Sequence, residues 1–211
     1  MVNVLRIFSF LISIFFVSSA IAQYKLVPNV SSFKSEFAIA SSKMNSISAD
    51  FTQVKTLTLL SEKLTSKGKF YFQKENFVRM EYTTPYQYLM VINGSKVSIK
   101  DGNKTSTMSG RSNKMFQQIN QLMMDCMRGA VFDNKNFSVR LFEDAQTYLA
   151  EMTPITSQMA SLFKKVNVIM KKGSFVVGQV QMFEPSGDYT SMNYSNQKIN
   201  VPLADALFSI K

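Results

Sequence analysis

Between Ile47 and Met108 apolar and polar residues alternate in short runs, and each run ends at a turn signal. A period of two marks strands with one buried face, so this pattern constrains the fold more than any other feature of the chain. Ile47, Ala49 and Phe51 alternate with Ser48, Asp50 and Thr52. Leu64, Ser66, Gly68, Phe70 and Phe72 then oppose Thr65, Lys67, Lys69, Tyr71 and Gln73. Lys74-Glu75-Asn76 turns the chain, which returns with Val78, Met80 and Tyr82 against Phe77, Arg79, Glu81 and Thr83. Pro85 interrupts; Tyr88 to Ile92 forms a strand ending at Asn93-Gly94, and Lys96 to Lys100 follows before Asp101-Gly102 repeats the same kind of turn. Asn103 to Met108 completes this meander.

Strands resume at Phe137-x-Val139-x-Leu141 and continue through Thr147 to Met152, Lys165 to Lys171, Phe175 to Phe183 and Tyr189 to Tyr194. In the fourth of these, Val176, Gly178, Val180 and Met182 share one parity. About ten short strands at hairpin spacing predict a strongly curved antiparallel sheet or an open barrel. Gln23 to Pro28 reads as a leader, Ser157 to Phe163 as a short helix or loop, and Val201 to Phe208 as one helical turn. From Val30 a docking helix is expected, with Val30, Phe33, Phe37, Ala40 and Met44 clustered on one side and Ser31, Lys34, Ser41 and Asn45 away from it.

A second helix interrupts the strands at Arg111 to Gly129. At 100° per residue, Met115, Phe116, Ile119, Leu122, Met123, Cys126 and Met127 share one face, and Lys114, Gln117, Gln118, Gln121, Asp125 and Arg128 the other. Ser112 or Asn113 can cap its start, and Gly129 suits the left-handed residue after its end. Such a helix is either an ordinary core element or a lid, and its methionines suit a soft surface for variable apolar guests.

The chain opens with Arg6, an apolar run from Ile7 to Val17, and Ala20-Ile21-Ala22 before Gln23, the pattern of a cleaved export signal. Residues 1–22 are therefore expected to be removed, leaving residues 23–211 as a single domain. Gln23, not a cysteine, stands at the cleavage point, so a lipid anchor there is not expected. The formal charge of +10 falls to +9 without Arg6. A basic exported protein can meet anionic headgroups or acidic partners, whereas dispersed Lys and Arg do not suggest nucleic acid. Cys126 is the sole cysteine, so no internal disulfide forms, and the absence of histidine excludes Ser-His-Asp and Cys-His catalysis and almost every common zinc site. No acidic pair has catalytic spacing, and Ser31-Ser32-Phe33-Lys34 is better explained by helix docking than by Ser-Lys chemistry. The expectation is a protein that is not an enzyme and holds neither metal nor cofactor.

The functional signal is apolar. Phe51, Phe70, Phe72, Met80, Tyr82, Leu89 and Val91 are expected to line one concave face under the helix. A filled barrel and a hollow one share that pattern. In order along the chain, Ser48-Ala49-Asp50-Phe51-Thr52-Gln53, Gly68-Lys69-Phe70-Tyr71-Phe72, Lys74 to Tyr82, Pro85 with the strand to Asn93-Gly94, Glu184 to Thr190, and Asn196 to Phe208 resemble the successive motifs of the LolA family of lipoprotein carriers. The resemblance implies an incomplete antiparallel barrel of about eleven strands with a helical lid. It also implies a cavity for the acyl chains of lipoproteins, received from an inner-membrane ABC transporter in the periplasm of a Gram-negative bacterium and delivered to the outer membrane by a monomeric carrier. The lid face would present Met115, Phe116, Ile119, Leu122, Met123 and Met127. Lys74 stands where the family has the arginine that latches the lid; Glu75 replaces its proline and Met80 its tryptophan. A lysine donates without the planar fork of an arginine. The alternative reading is a single-domain envelope sensor or lipid-binding protein on the same half-barrel that transports nothing.

Overall fold

The computed structural model describes residues 24–109, 121–126 and 130–210. Twelve strands among them form one antiparallel sheet: β1 (Lys25–Leu26), β2 (Ser46–Leu57), β3 (Glu62–Gln73), β4 (Phe77–Thr84), β5 (Tyr88–Asn93), β6 (Lys96–Asp101), β7 (Lys104–Ser109), β8 (Phe137–Glu143), β9 (Thr147–Pro154), β10 (Lys165–Lys171), β11 (Val177–Phe183) and β12 (Tyr189–Ile199). Their spatial order is β1-β8-β9-β10-β11-β12-β2-β3-β4-β5-β6-β7. Two hairpin meanders thus meet where β12 pairs with β2, and β1 and β7 remain as edges, so the barrel is open. The expected open antiparallel barrel is the observed fold. The short leader supplies the additional edge strand: Lys25 and Leu26 pair with Glu143 and Phe142, a stretch too brief to leave a periodic signal.

Three α-helices among the described residues accompany the sheet, α1 (Val30–Ser42), α2 (residues 121–126) and α3 (Ser157–Ala160), with short 3-10 turns at Val131–Asp133 and Asp205–Phe208. Asn29 caps α1, its Oδ1 accepting from the Ser32 N–H at 3.0 Å. Phe33 and Phe37 are buried as expected, but Ser41 is buried too and Val30 lies exposed at the first turn. The inner face of the sheet carries two apolar clusters. One lies under β8 to β11 and takes in Phe33, Phe37, Leu141, Met152, Met159, Val168 and Met170. The other lies under β2 to β5 and contains Ile47, Ala49, Phe51, Phe70, Phe72, Val78 and Ile92.

Register shifts adjust the alternation at Lys67/Gly68 in β3, in β10–β11 and in β12. The register shifts after Ile169, so that Met170 faces Val177 while Val168 faces Val180. Val177 therefore joins Val180 and Met182 on the face that simple alternation assigns to Gly178, because an extra residue reverses parity. Strand β12 runs past Tyr194 to Ile199 through the irregularity between Ser195 and Lys198, where Asn196 has a φ of 51°. After β12 the chain crosses to the outer face. The Arg79 guanidinium donates to the Leu207 carbonyl at 3.0 Å, the Asn93 amide to that of Phe208 at 3.2 Å, and the Phe77 and Phe208 rings lie 5.5 Å apart.

Candidate functional site

The inner face of β2 to β5 gathers Phe51, Phe70, Phe72 and Tyr82. Hairpin pairing sets Phe70 opposite Met80, Phe72 opposite Val78 and Gly68 opposite Tyr82, and the next pairing sets Met80 opposite Met90 and Val78 opposite Ile92. Gly68 is dictated by close approach: a Cβ there would overlap the Glu81 carbonyl oxygen and come within 2.6 Å of Phe51 Cζ. The Phe51 ring occupies that space and meets the Tyr82 ring edge-on at 4.9 Å. Tyr82 donates its hydroxyl to Gln53 Oε1 at 2.8 Å, and burial pushes its pKa up to about 12. From β12, Tyr194 reaches Phe70 at 5.4 Å between centroids and donates to the Met192 sulfur at 3.0 Å; burial raises its pKa as well.

Helix α2 lies across this face and joins the two clusters. Met124 is 2% exposed and packs with Phe70, Phe72 and Ile92, with Met123 beside it. Leu122 and Cys126 turn toward the cluster of Phe33 and Phe37. Asp125, expected on the solvent side, is buried: it accepts from Gln121 Nε2 and from Asn134 Nδ2, both at 2.6 Å. The wheel assigned it by polarity alone, whereas the chain after the helix folds back and brings the Asn134 amide to meet it. Burial, then the neighbouring Asp125 charge, pushes the Cys126 thiol up to about 12, which keeps it protonated and unreactive at neutral pH. A void of about 10 Å³ remains between Ile47, Ala49, Phe70, Val177 and Tyr194. It is the size of one water and far below that of an acyl chain.

Of the residues expected to line the site, Phe51, Phe70, Phe72, Met80 and Tyr82 come together on the inner face. Leu89 and Val91 do not. Leu89 pairs with Glu81 and Val91 with Arg79, so both point to the outer face, and Met90 and Ile92 take the inward positions. Tyr88 to Ile92 is a continuous apolar run whose parity is invisible until its partner is known. Val91 is nevertheless buried, on the side where the C-terminal segment packs. Lys74, expected as the lid latch, has one side-chain contact among the described residues, and most of the lid lies outside them. Its ammonium donates to the Ser42 carbonyl at the end of α1, a helix with no basic residue in its last turn and carbonyls left without helical partners. Leu122 and Met123 of the expected lid face are described and packed, whereas Met115, Phe116, Ile119 and Met127 lie outside the described residues. Met124, Ile92, Met192 and Tyr194 were missed as site residues; Thr190-x-Met192-x-Tyr194 carried a usable alternation, but Met124 falls between the two faces of the wheel.

No curated protein matches the chain by sequence. Among solved structures, a LolA superfamily protein from Nitrosomonas europaea is 12% identical, with a TM-score of 0.46 over 84% of this chain and 97% of that one. An uncharacterized conserved protein from Thermus thermophilus is 10% identical, with a TM-score of 0.52 over 85% and 93%, and shares the fold. In the MucA/MucB complex from Pseudomonas aeruginosa, a matching chain is 11% identical, with a TM-score of 0.42 over 85% and 60%. The family model for the outer membrane lipoprotein carrier protein LolA matches residues 42–211, from the end of α1 through every strand from β2 onward, and the chain therefore belongs to the LolA family.

Proposed function

We propose that this protein is a periplasmic carrier that holds the acyl chains of lipoproteins against the inner face of β2 to β5 and delivers them to the outer membrane. The observation that carries the reading is the seat of α2: Met123 and Met124, two adaptable side chains, cover an aromatic sheet face. Displacing the helix would open space for a guest whose burial contributes about 0.8 kcal/mol per CH₂. Its return would expel that guest, so the packing energy of Met124 and Leu122 sets how readily cargo leaves. In this reading residues 1–22 direct export, an inner-membrane ABC transporter supplies the lipoprotein, residues 112–128 act as the lid, and Lys74, held against the end of α1, is its latch. Membership of a family described as lipoprotein carriers supports the same reading.

A triacylated lipopeptide tests it, with native mass spectrometry for stoichiometry and Cys126 as a built-in reporter. One lipopeptide should bind per chain, and labelling of Cys126 by a thiol reagent should accelerate when it does. Phe70→Asp should abolish uptake. Absence of lipopeptide binding by the folded wild-type chain would overturn the reading.

A further inference from the structure

Hairpin β2–β3 ends in the most exposed apolar residues of the described chain. Leu59 is 90% exposed and Leu60 65%, with Leu64 at 52% on the strand that leaves the tip. The tip is not loose. The Thr58 N–H donates to Asp188 Oδ1 at 2.8 Å and its hydroxyl to the Gly187 carbonyl at 2.7 Å, bracing one side against the β11–β12 turn. On the other side β3 runs free: its last pairing with β4 is Lys67 to Thr84, so residues 62–66 project past the neighbouring strand by roughly 17 Å at the rise of a strand. Folding gains nothing from holding two adjacent leucines in water on a braced projection, so a surface that receives them is the economical explanation.

Charge identifies that surface. Residues 43–109, which contain β2 to β7, carry ten Lys and Arg against five Asp and Glu, whereas residues 130–210 carry seven of each. In the second segment Arg140, Lys165 and Lys172 are paired with Glu151 or Glu143. Lys55 is paired with Glu184 beneath the tip, but Lys63 and Lys67 on the projecting strand have no ion-pair partner among the described residues. Glu62 is the one carboxylate within the tip itself. Leucines at an apex with lysines at the second and sixth positions of the strand behind them match the layering of an anionic bilayer, where acyl chains lie below phosphate headgroups. A protein groove would require complementary pockets on both faces of the hairpin, and it would not explain the charge imbalance between the two halves of the sheet.

We infer that the β2–β3 hairpin is a membrane-contact element that inserts Leu59 and Leu60 into the surface of an anionic phospholipid bilayer, with Lys63 and Lys67 against its headgroups. This goes beyond the carrier reading and does not depend on it, since neither cluster that seats α2 contains a residue of the tip. The chain has no tryptophan, so Leu59→Trp places a single reporter at the apex. With vesicles of phosphatidylethanolamine and phosphatidylglycerol its emission should shift to the blue and be quenched by brominated acyl chains; with phosphatidylcholine vesicles both effects should weaken. In co-sedimentation, Leu59→Asp with Leu60→Asp should lower vesicle affinity about tenfold or more, the loss expected when two leucines no longer leave water. Lys63→Ser with Lys67→Ser should weaken binding at low salt and flatten its salt dependence. Circular dichroism and lipopeptide uptake should be unchanged in every variant, which separates this proposal from the carrier reading. A tryptophan whose emission ignores anionic vesicles, or vesicle binding that persists in the double aspartate variant, would overturn it and leave the tip to a protein partner.

Discussion

At the scale of single residues, Gly68 has the sharpest consequence. Its missing Cβ is what allows Phe51 to lie flat against β3 and the Glu81 carbonyl to close the pairing with β4. Gly68→Ala forces backbone and ring to move together, and overpacking of that kind costs about 1–3 kcal/mol. A chemical-unfolding midpoint equal to that of the wild type would contradict this account. Gly68 was visible from the sequence only as a small residue at an inward position of an alternating strand. Its contact lies 17 positions away in Phe51, on the neighbouring strand, and no local pattern encodes which side chain will fill the gap. Asp125 makes the same point in reverse, since a wheel assigns a carboxylate to water and cannot anticipate the amide of Asn134.

At the scale of elements, α2 is held by apolar seating on one side and by the Asp125–Asn134 hydrogen bond on the other. Removing the amide leaves a buried carboxylate with Gln121 as its one remaining side-chain donor among the described residues. Asn134→Ala should therefore destabilise the protein by about 1–3 kcal/mol. It should also speed thiol labelling of Cys126, because the same bond anchors the helix that buries the thiol. Unchanged labelling with reduced stability would mean that the amide supports the chain after α2 and not the helix itself. The element was legible as an amphipathic segment among strands. Its seat was not, since Met124 belongs to neither face of an ideal wheel yet is the least exposed of residues 121–126 and joins the cluster of Phe70 and Phe72.

At the scale of the whole molecule, burial disfavours the ionisation of several acids of the core. The Cys126 thiol is raised from 9.0 to about 12, and the Tyr82 phenol from 10.0 to about 12, in both cases chiefly by burial. The folded state keeps these protons at pH values where the unfolded chain has released them. Stability is therefore full below about pH 9 and falls as pH rises toward 12, by up to about 1.4 kcal/mol per pH unit for each group held protonated. Denaturant titrations at pH 8 and pH 10.5 should show this loss, and Cys126→Ala should flatten its first part. A pH-independent midpoint across that range would show that the two groups reach water in the folded state.

The sequence by itself determined that the chain folds as hairpins. Period-two runs closed by Asn93-Gly94 and Asp101-Gly102 are local, and each strand needs only its own alternation to expose a polar face and bury an apolar one. The order of degenerate motifs from Ser48 to Phe208 was likewise enough to point to the family whose model matches residues 42–211. What only the tertiary structure decided were the relations between strands and across the barrel. Register turned Leu89 and Val91 outward and Met90 and Ile92 inward. The C-terminal segment became a cover for the outer face, and Lys74 became a cap for α1. Each of these depends on which partner lies opposite, and a one-residue slip in pairing reverses every side chain of a strand without changing its sequence.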